Sequence, residues 1–310
     1  MRLTLRQLEY FVAVSESGSI TAAAQVLYLS PSTISTSVAE LETVLGVRLF
    51  TRHSRGLSLT GEGRSVLANA RMLLRDAQDL VSGAGALAGE LSGTLSVGCY
   101  STITPLLIPL IVSKLSERFP KLTVEFSEGS RSELLEGFST GKFDIVVIYN
   151  YPFKKDLPDQ GSVISLGALP PYVLFPLSHP AVGTGRVKLA DLDDLSFILF
   201  DLEPADQYFL SILDKEGVSP RIKHRTGDFE VIRGLVAQGL GYSLLTQRTR
   251  HSVSYEGTRY ATAELELPSP PLEVVALVPA ASHLTARAEI FIDVSREIFS
   301  DVVEYENLGR

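Results

Sequence analysis

Hydrophobic positions near the start of the chain recur every three or four residues: Leu5, Leu8, Phe11 and Val12 with Ser15, then Ile20, Ala23, Ala24 and Leu27, then Ile34, Val38, Leu41 and Leu45. This spacing predicts three amphipathic helices, the first over Thr4 to Glu16. A break at Leu29-Ser30-Pro31 separates the other two, so two short helices meet at a tight turn. Ser30 can cap the free amides of the later helix, and Pro31 suits the first helical position, where a missing N–H costs nothing. Its early outward positions, Ser32, Thr33, Ser35, Thr36 and Ser37, carry small hydroxyls. Such a surface can approach a major-groove floor and donate to phosphates or base edges. An ordinary all-α core with serines on its wet face would look the same if this stretch stood alone.

The continuation decides between these readings. From Val47 to Thr60, Arg48, Arg52 and Arg55 stand beside two short strand-like segments joined at Ser54-Arg55-Gly56, a hairpin wing able to straddle backbone phosphates. A helix-turn-helix followed at once by a basic wing is far more specific than either part. Thr60 can then cap a long helix with Glu62 in its first turn, where the helix dipole favours a carboxylate. Its apolar residues keep a seven-residue register, with Ala70, Ala77 and Ala84 at one position and Val66, Leu73, Leu80 and Leu87 at another. The opposite face carries Arg64, Arg71, Arg75 and Asp79, which favours a coiled-coil seam for dimerisation through Leu73, Leu80 and Leu87 over a helix packed in its own domain. The glycines from Gly83 to Gly93 then turn the chain into a new region; Gly83 to Ala88 is no dinucleotide fingerprint, because no strand precedes it.

From Thr94 the period changes. Thr94–Cys99, Leu122–Ser127 and Phe143–Tyr149 read as strands, Pro105–Phe119 as a helix stopped by Pro120, and Ser130–Ser139 as a helix opened by the capping box Ser130-x-x-Glu133. The order β-α-β-α-β with apolar strands implies a mostly parallel sheet covered on both faces. A second set begins near Val163, with strands at Tyr172–Phe175, Phe197–Phe200, Arg221–Thr226 and Tyr242–Leu245 and helices near Pro204–Lys215 and Asp228–Gln238. Leu272–Val278 is one more strand, and Leu284–Phe299 a closing helix.

The sequence resembles the LysR-type transcriptional regulators. The resemblance is carried by Leu5-Arg-Gln-Leu-Glu-Tyr-Phe11, Gly18-Ser-Ile-Thr-Ala-Ala-Ala24, Ser30 with Ser35, Glu40-Leu-Glu42, and Gly46-Val-Arg-Leu-Phe-Thr-Arg52 leading to Leu59-Thr-Gly-Glu-Gly63. It implies an α/β protein with an N-terminal winged helix-turn-helix over residues 1–60, a linker helix over 61–92 and a two-lobed effector domain over 93–300, like a periplasmic binding protein. Lobe I would comprise 93–162 and 268–300, and lobe II 163–267, with the chain crossing near Ser162 and returning near Pro268. The family usually has Gln-Pro where this chain has Pro31-Ser32, and a basic residue where it has Thr36, so no half-site preference carries over.

Charge and composition narrow the function further. The net charge of −8 looks wrong for a DNA binder, but residues 1–92 sum to zero and the remainder carries it all. Basic charge is therefore local to the wing. The 310 residues, 45% of them apolar, suit a small domain plus a bilobal one. No apolar run is long enough to span a bilayer and Met1-Arg-Leu-Thr-Leu opens a helix, not a signal sequence, so a cytoplasmic protein without a membrane partner is expected. A single Cys excludes an intrachain disulfide, and five scattered His give no metal-ligand spacing; no metal or cofactor is expected.

In open α/β sheets ligands gather at the carboxyl ends of strands. The matching positions are Ser101 and Thr102 after Tyr100, Ser130 after Gly129, Tyr149, Phe200, Asp228 and Phe229, and Thr246. Ser101, Thr102 and Ser130 place hydroxyls beside helix N-termini, a setting for a small anion, with Ser130 better explained as a simple cap. Asp228 would repel an anion, which favours an effector with hydroxyls or a positive group. Cys99 ends a strand as a small hydrophobe. Arg221, Lys223 and Arg225 alternate along a solvated edge. The expected DNA-binding residues are Ser30, Ser32, Thr33, Ser35, Thr36, Arg52 and Arg55, on double-stranded operator DNA, in a homodimer or homotetramer that senses a small-molecule effector. A solute-binding protein would have no use for residues 1–60, and an enzyme working in the cleft would lack a nucleophile, metal or cofactor motif.

Overall fold

Caps a few residues long set the first helices. In the computed structural model, which describes residues 3–54, 56–86, 91–158, 161–267, 269–279 and 284–308, Thr4 and Gln7 form a reciprocal capping box that opens α1 (Leu5–Ser17). Ser19 caps α2 (Ile20–Val26) and Ser30 caps α3 (Pro31–Leu45). Among the residues singled out above, Arg55, Leu87, Ala88 and Pro268 lie outside the described residues.

Helix α1 buries Gln7, Leu8, Tyr10, Phe11 and Val14, whereas Leu5, expected inside, is half exposed. The reason is that α1 is packed from two sides. Leu8 and Phe11 meet Leu41, Leu49, Leu67 and Ala70, while Tyr10 and Val14 meet Ala23, Ala24, Ile34 and Val38. Leu45, also expected inside, ends α3 partly in solvent.

The wing is the antiparallel pair β1 (Phe50–His53) and β2 (Gly56–Leu59), with Arg52 opposite Leu57. Leu57 donates its N–H to the Gly18 carbonyl at 2.9 Å, which docks the wing on the end of α1. A Cβ on Gly56 would lie 2.6 Å from that carbonyl oxygen, and its φ of 132° is foreign to other residues, so glycine is required there.

Thr60 opens α4 (Gly61–Ala86) by accepting from the Gly63 N–H at 2.8 Å. Leu67 and Ala70 of α4 are buried in the core of the head. This corrects the seven-residue register at Ala70, which faces α1 and not a partner helix. Past it, Leu73 and Leu80 are 43% and 77% exposed. Arg71 and Arg75, read above as an outward face, instead reach the second region: Arg71 donates to the Thr140 carbonyl at 2.9 Å, and Arg75 donates to the Gly141 carbonyl at 2.8 Å and pairs with Asp144 at 2.9 Å. Arg71 also pairs with Glu16 of α1 at 2.7 Å, so one helix face ties head to sensor.

The second region opens with β3 (Gly93–Tyr100), α5 (Thr104–Arg118), β4 (Leu122–Gly129), α6 (Arg131–Ser139) and β5 (Ile145–Asn150), and β4 and β5 pair in parallel with β3 on its two sides. Next come β6 (Gly161–Leu169), β7 (Tyr172–Phe175), β8 (Arg186–Val187), β9 (Phe197–Phe200), α7 (Ala205–Lys215), β10 (Ile222–Thr226), α8 (Phe229–Ala237), β11 (Ser243–Leu245), β12 (Ala261–Leu265), β13 (Leu272–Pro279) and α9 (Ala286–Leu308). The first sheet runs β4-β3-β5-β13-β6, with β13 antiparallel to both neighbours. Lobe II contains the sheet β11-β7-β12-β8 and the parallel pair β10-β9, linked by a bridge between Phe197 and Tyr242. Strands β6, β8 and β12 were not expected. Because β6 pairs along its length with β13, the chain leaves lobe I after Leu169, at Pro170-Pro171, and not near Ser162. It returns between Leu265 and Leu272. Among the described residues no helix is long and apolar enough to cross a membrane, and no cluster of His, Cys, Asp or Glu could hold a metal ion.

Candidate DNA interface and interlobe cleft

At the start of α3, Ser30, Ser32, Thr33 and Thr36 are exposed and Ser35 is partly buried. Ser30 Oγ accepts from the Thr33 N–H at 3.1 Å and shares 2.8 Å hydrogen bonds with Ser32 Oγ and Thr33 Oγ1. These three hydroxyls cap the helix and one another. Ser35 and Thr36 edge an open groove with Gln7, Ala39, Glu40 and Thr43. On the wing Arg52 is exposed. The third wing cation visible in the sequence, Arg48, pairs with Glu42 at 3.1 Å, and the other oxygen of Glu42 accepts the Leu49 N–H at 2.7 Å. Glu42 thereby fastens the turn from α3 into the wing. The sequence reading passed over Tyr28, which is 95% exposed at φ 55° in the turn between α2 and α3. A phenol beside a recognition helix can donate to a phosphate, and its place in the turn was the signal.

Between the lobes, the structure brings Thr102, Tyr149 and Thr246 together around one unforeseen residue, Gln247. Its side-chain amide donates to the Thr102 carbonyl and, at 3.0 Å, to the Tyr149 hydroxyl, both on lobe I. Its own carbonyl accepts from Tyr172 at 3.0 Å and from Arg233 at 2.8 Å, both on lobe II. One residue is thus anchored in one lobe and bonded to the other. The Thr246 side chain also acts on the Tyr149 hydroxyl, and the Thr102 hydroxyl is buried without a hydrogen-bond partner.

The remaining candidates separate. Ser130 is held in its capping box, its N–H and hydroxyl both donating to Glu133 at 2.8 and 2.6 Å, and these bonds depress the Glu133 pKa. Asp228 is exposed and caps α8 by accepting from Glu230 and Val231. Phe200 and Phe229 pack against each other in lobe II, their rings tilted by 49° with centroids 4.4 Å apart. Ser101 is partly buried, and its N–H donates to the Gly129 carbonyl at 3.2 Å.

Beside Gln247 the cleft holds groups that no motif announced. Tyr100, Tyr149 and Tyr151 of lobe I and Tyr208 of lobe II follow one another at centroid separations of 5.7, 5.9 and 6.2 Å. The hydroxyls of Tyr100 and Tyr151 and one oxygen of Asp206 are buried without a hydrogen-bond partner. Burial pushes Tyr100 up to about 12, and it pushes Tyr151 and Tyr208 well above the ordinary range, so all three hydroxyls stay protonated; that of Tyr208 donates to the Pro270 carbonyl at 2.7 Å, and those of Tyr100 and Tyr151 are left to donate. Arg131, almost fully buried, is matched by Asp156 at 2.6 Å and donates to the Tyr149 carbonyl at 2.7 Å. Its hydrogen bonds hold the Asp156 carboxyl below the usual range.

Burial also pushes the Cys99 thiol up to about 12, which removes it as a thiolate nucleophile at neutral pH.

Residues 5–64 match the model of the bacterial regulatory helix-turn-helix proteins of the lysR family, and residues 88–300 match that of the LysR substrate binding domain. The HTH-type transcriptional regulator YvbU of Bacillus subtilis is 26% identical over 96% of this chain and 99% of its own length. The crystal structure of HinK, a LysR family transcriptional regulator from Pseudomonas aeruginosa, is 31% identical, with a TM-score of 0.63 over 96% of this chain and 99% of HinK. A full-length OxyR variant from the same organism is 27% identical, with a TM-score of 0.72 over 95% and 98% of the two chains. With a capped helix-turn-helix, a basic wing and a two-lobed sensor each matched along nearly the whole length, this chain belongs to the LysR family of transcriptional regulators, which bind DNA through the head and a small effector through the C-terminal domain.

Proposed function

We propose that the protein works in the cytoplasm, without a catalytic step, as a homodimer or homotetramer on operator DNA, and that an effector between its lobes sets the spacing of the heads. Ser32, Thr33, Ser35 and Thr36 read bases or phosphates, Arg52 and Arg55 meet the backbone, and Leu73, Leu80 and Leu87 pair α4 with its counterpart. The observation that carries the sensor half of this reading is Gln247, because any molecule that enters beside Tyr149 must compete with its bonds to Thr102 and Tyr149. The lobes then shift, and the contacts of Arg71 and Arg75 pass the shift to α4. Effector and DNA affinities change by the same factor in each direction. Half-sites lie about one helical turn apart or a multiple of it, so a small rotation is enough to alter affinity or bending.

The hydrogen-peroxide-inducible activators among the relatives, one of them 28% identical over 305 residues, do not supply the signal. This chain has one cysteine and can form no disulfide within itself. A gel shift on the DNA flanking its own gene tests the regulator reading. Ser101→Ala combined with Thr102→Ala should abolish the effector response and leave effector-free DNA binding intact. An unchanged response in that variant would remove the cleft from the mechanism.

A further inference from the structure

Asp206 lies in the first turn of α7, two residues before Tyr208, and one of its oxygens is buried without a partner. It is near enough to Tyr100 for its charge to act on that hydroxyl. Two cations of this region are already matched: Arg131, which lies 5.8 Å from the Tyr151 ring centroid, pairs with Asp156, and Lys154 pairs with Glu203 at 3.4 Å. Arg131 and Lys154 are thus not left to match Asp206, whose charge reaches Tyr100 in the row of four tyrosine rings.

Aromatic rings around a carboxylate are a setting for an organic cation, because each ring face carries negative potential and the acid supplies the counter-charge. The free Tyr100 and Tyr151 hydroxyls add hydrogen bonds to the uncharged part of such a ligand. A carboxylate would instead meet Asp206 where burial weakens the screening by water. We infer that the effector is a small organic ammonium ion, its charge set against Asp206 among Tyr100, Tyr151 and Tyr208 and its remainder bonded to the tyrosine hydroxyls. This rests on the cleft being the effector site.

The test uses the full-length protein and four probes: tyramine and choline as cations, tyrosol as the neutral counterpart of tyramine, and 4-hydroxyphenylacetate as the anion. Calorimetry and thermal melting should show tyramine or choline binding about ten-fold or more tighter than tyrosol, with no stabilisation by the anion. Asp206→Asn, nearly the same size, should erase that preference and leave tyrosol affinity unchanged. Tyr151→Phe removes a single unpartnered oxygen, so it should fold normally and weaken the cation by about three-fold or more. Equal binding of cation and neutral probe, or stabilisation by none of the four, would overturn the inference. An anion that binds tightest, and is lost in Thr102→Ala and Tyr149→Phe, would overturn the charge assignment and keep the cleft as the sensor. A cation whose affinity ignores Asp206→Asn, Tyr151→Phe and Gln247→Ala binds elsewhere and would overturn both.

Discussion

In the head, Ser32, Thr33 and Thr36 stand in solvent at the start of a helix, while in the sensor Thr246, Tyr100, Tyr149 and Tyr151 are almost wholly buried. The head hydroxyls lose little on folding because water and a cap already satisfy them, and under the proposed function DNA would merely replace the water. The sensor hydroxyls have left water. Each either finds a partner in the protein, as Tyr149 does in Gln247, or is left without one, as Tyr100 and Tyr151 are. On the proposed function, the same functional group serves as a tolerant contact surface in one region and a selective site in the other.

The largest test asks whether the two regions are stable separately. Phe11 is fully buried in a small core, so Phe11→Ala should cost about 3–5 kcal/mol. Calorimetry should show the head transition falling while the sensor transition stays. Equal loss in both would mean that the bonds of Arg71 and Arg75 make them melt as one unit.

Leu80→Asp should split the paired heads and lower operator affinity about a hundred-fold, because the two half-sites then bind independently. Unimpaired operator binding would place the pairing outside α4.

Alkali should separate the regions by chemistry. Burial raises Tyr100, Tyr172 and Tyr242 from 10 to about 12 and Cys99 from 9 to about 12, all in the sensor. Between those values the unfolded chain has released protons that the folded chain keeps, so stability is intact below about pH 9 and falls as pH rises toward 12. The slope is about 1.4 kcal/mol per pH unit for each group. Chemical denaturation at rising pH should find the sensor weakening first; a pH-independent sensor midpoint would mean that these groups are hydrated in solution.

The smallest effect belongs to the exposed wing. Arg52→Ala with Arg55→Ala should reduce operator affinity about ten-fold and flatten the plot of log affinity against log salt by about two units, evenly across sequences. Thr33→Ala should change sequence preference instead. A double variant with the wild-type salt slope would remove the wing from the interface.

The sequence by itself determined the elements whose causes are local. Ser30 caps through an amide three residues on, Pro31 and Gly46 bound the same helix, and Ser130 binds Glu133, so the helix-turn-helix and the β-α-β-α-β order could be read from spacing alone. Tertiary structure decided what depends on residues far apart. Residues 161–169 joined the first sheet because β13, more than a hundred residues later, offered an edge. Ala70 went to the head because Phe11 and Leu41 were there to cover it. The acid of the cleft is the same kind of case. Asp228 and Asp206 both sit at helix starts and look alike in sequence, but one caps its helix in solvent and the other, partly buried, has one oxygen shut away without a partner. A capping bond is decided within one turn of helix, whereas a buried charge depends on which lobe closes over it.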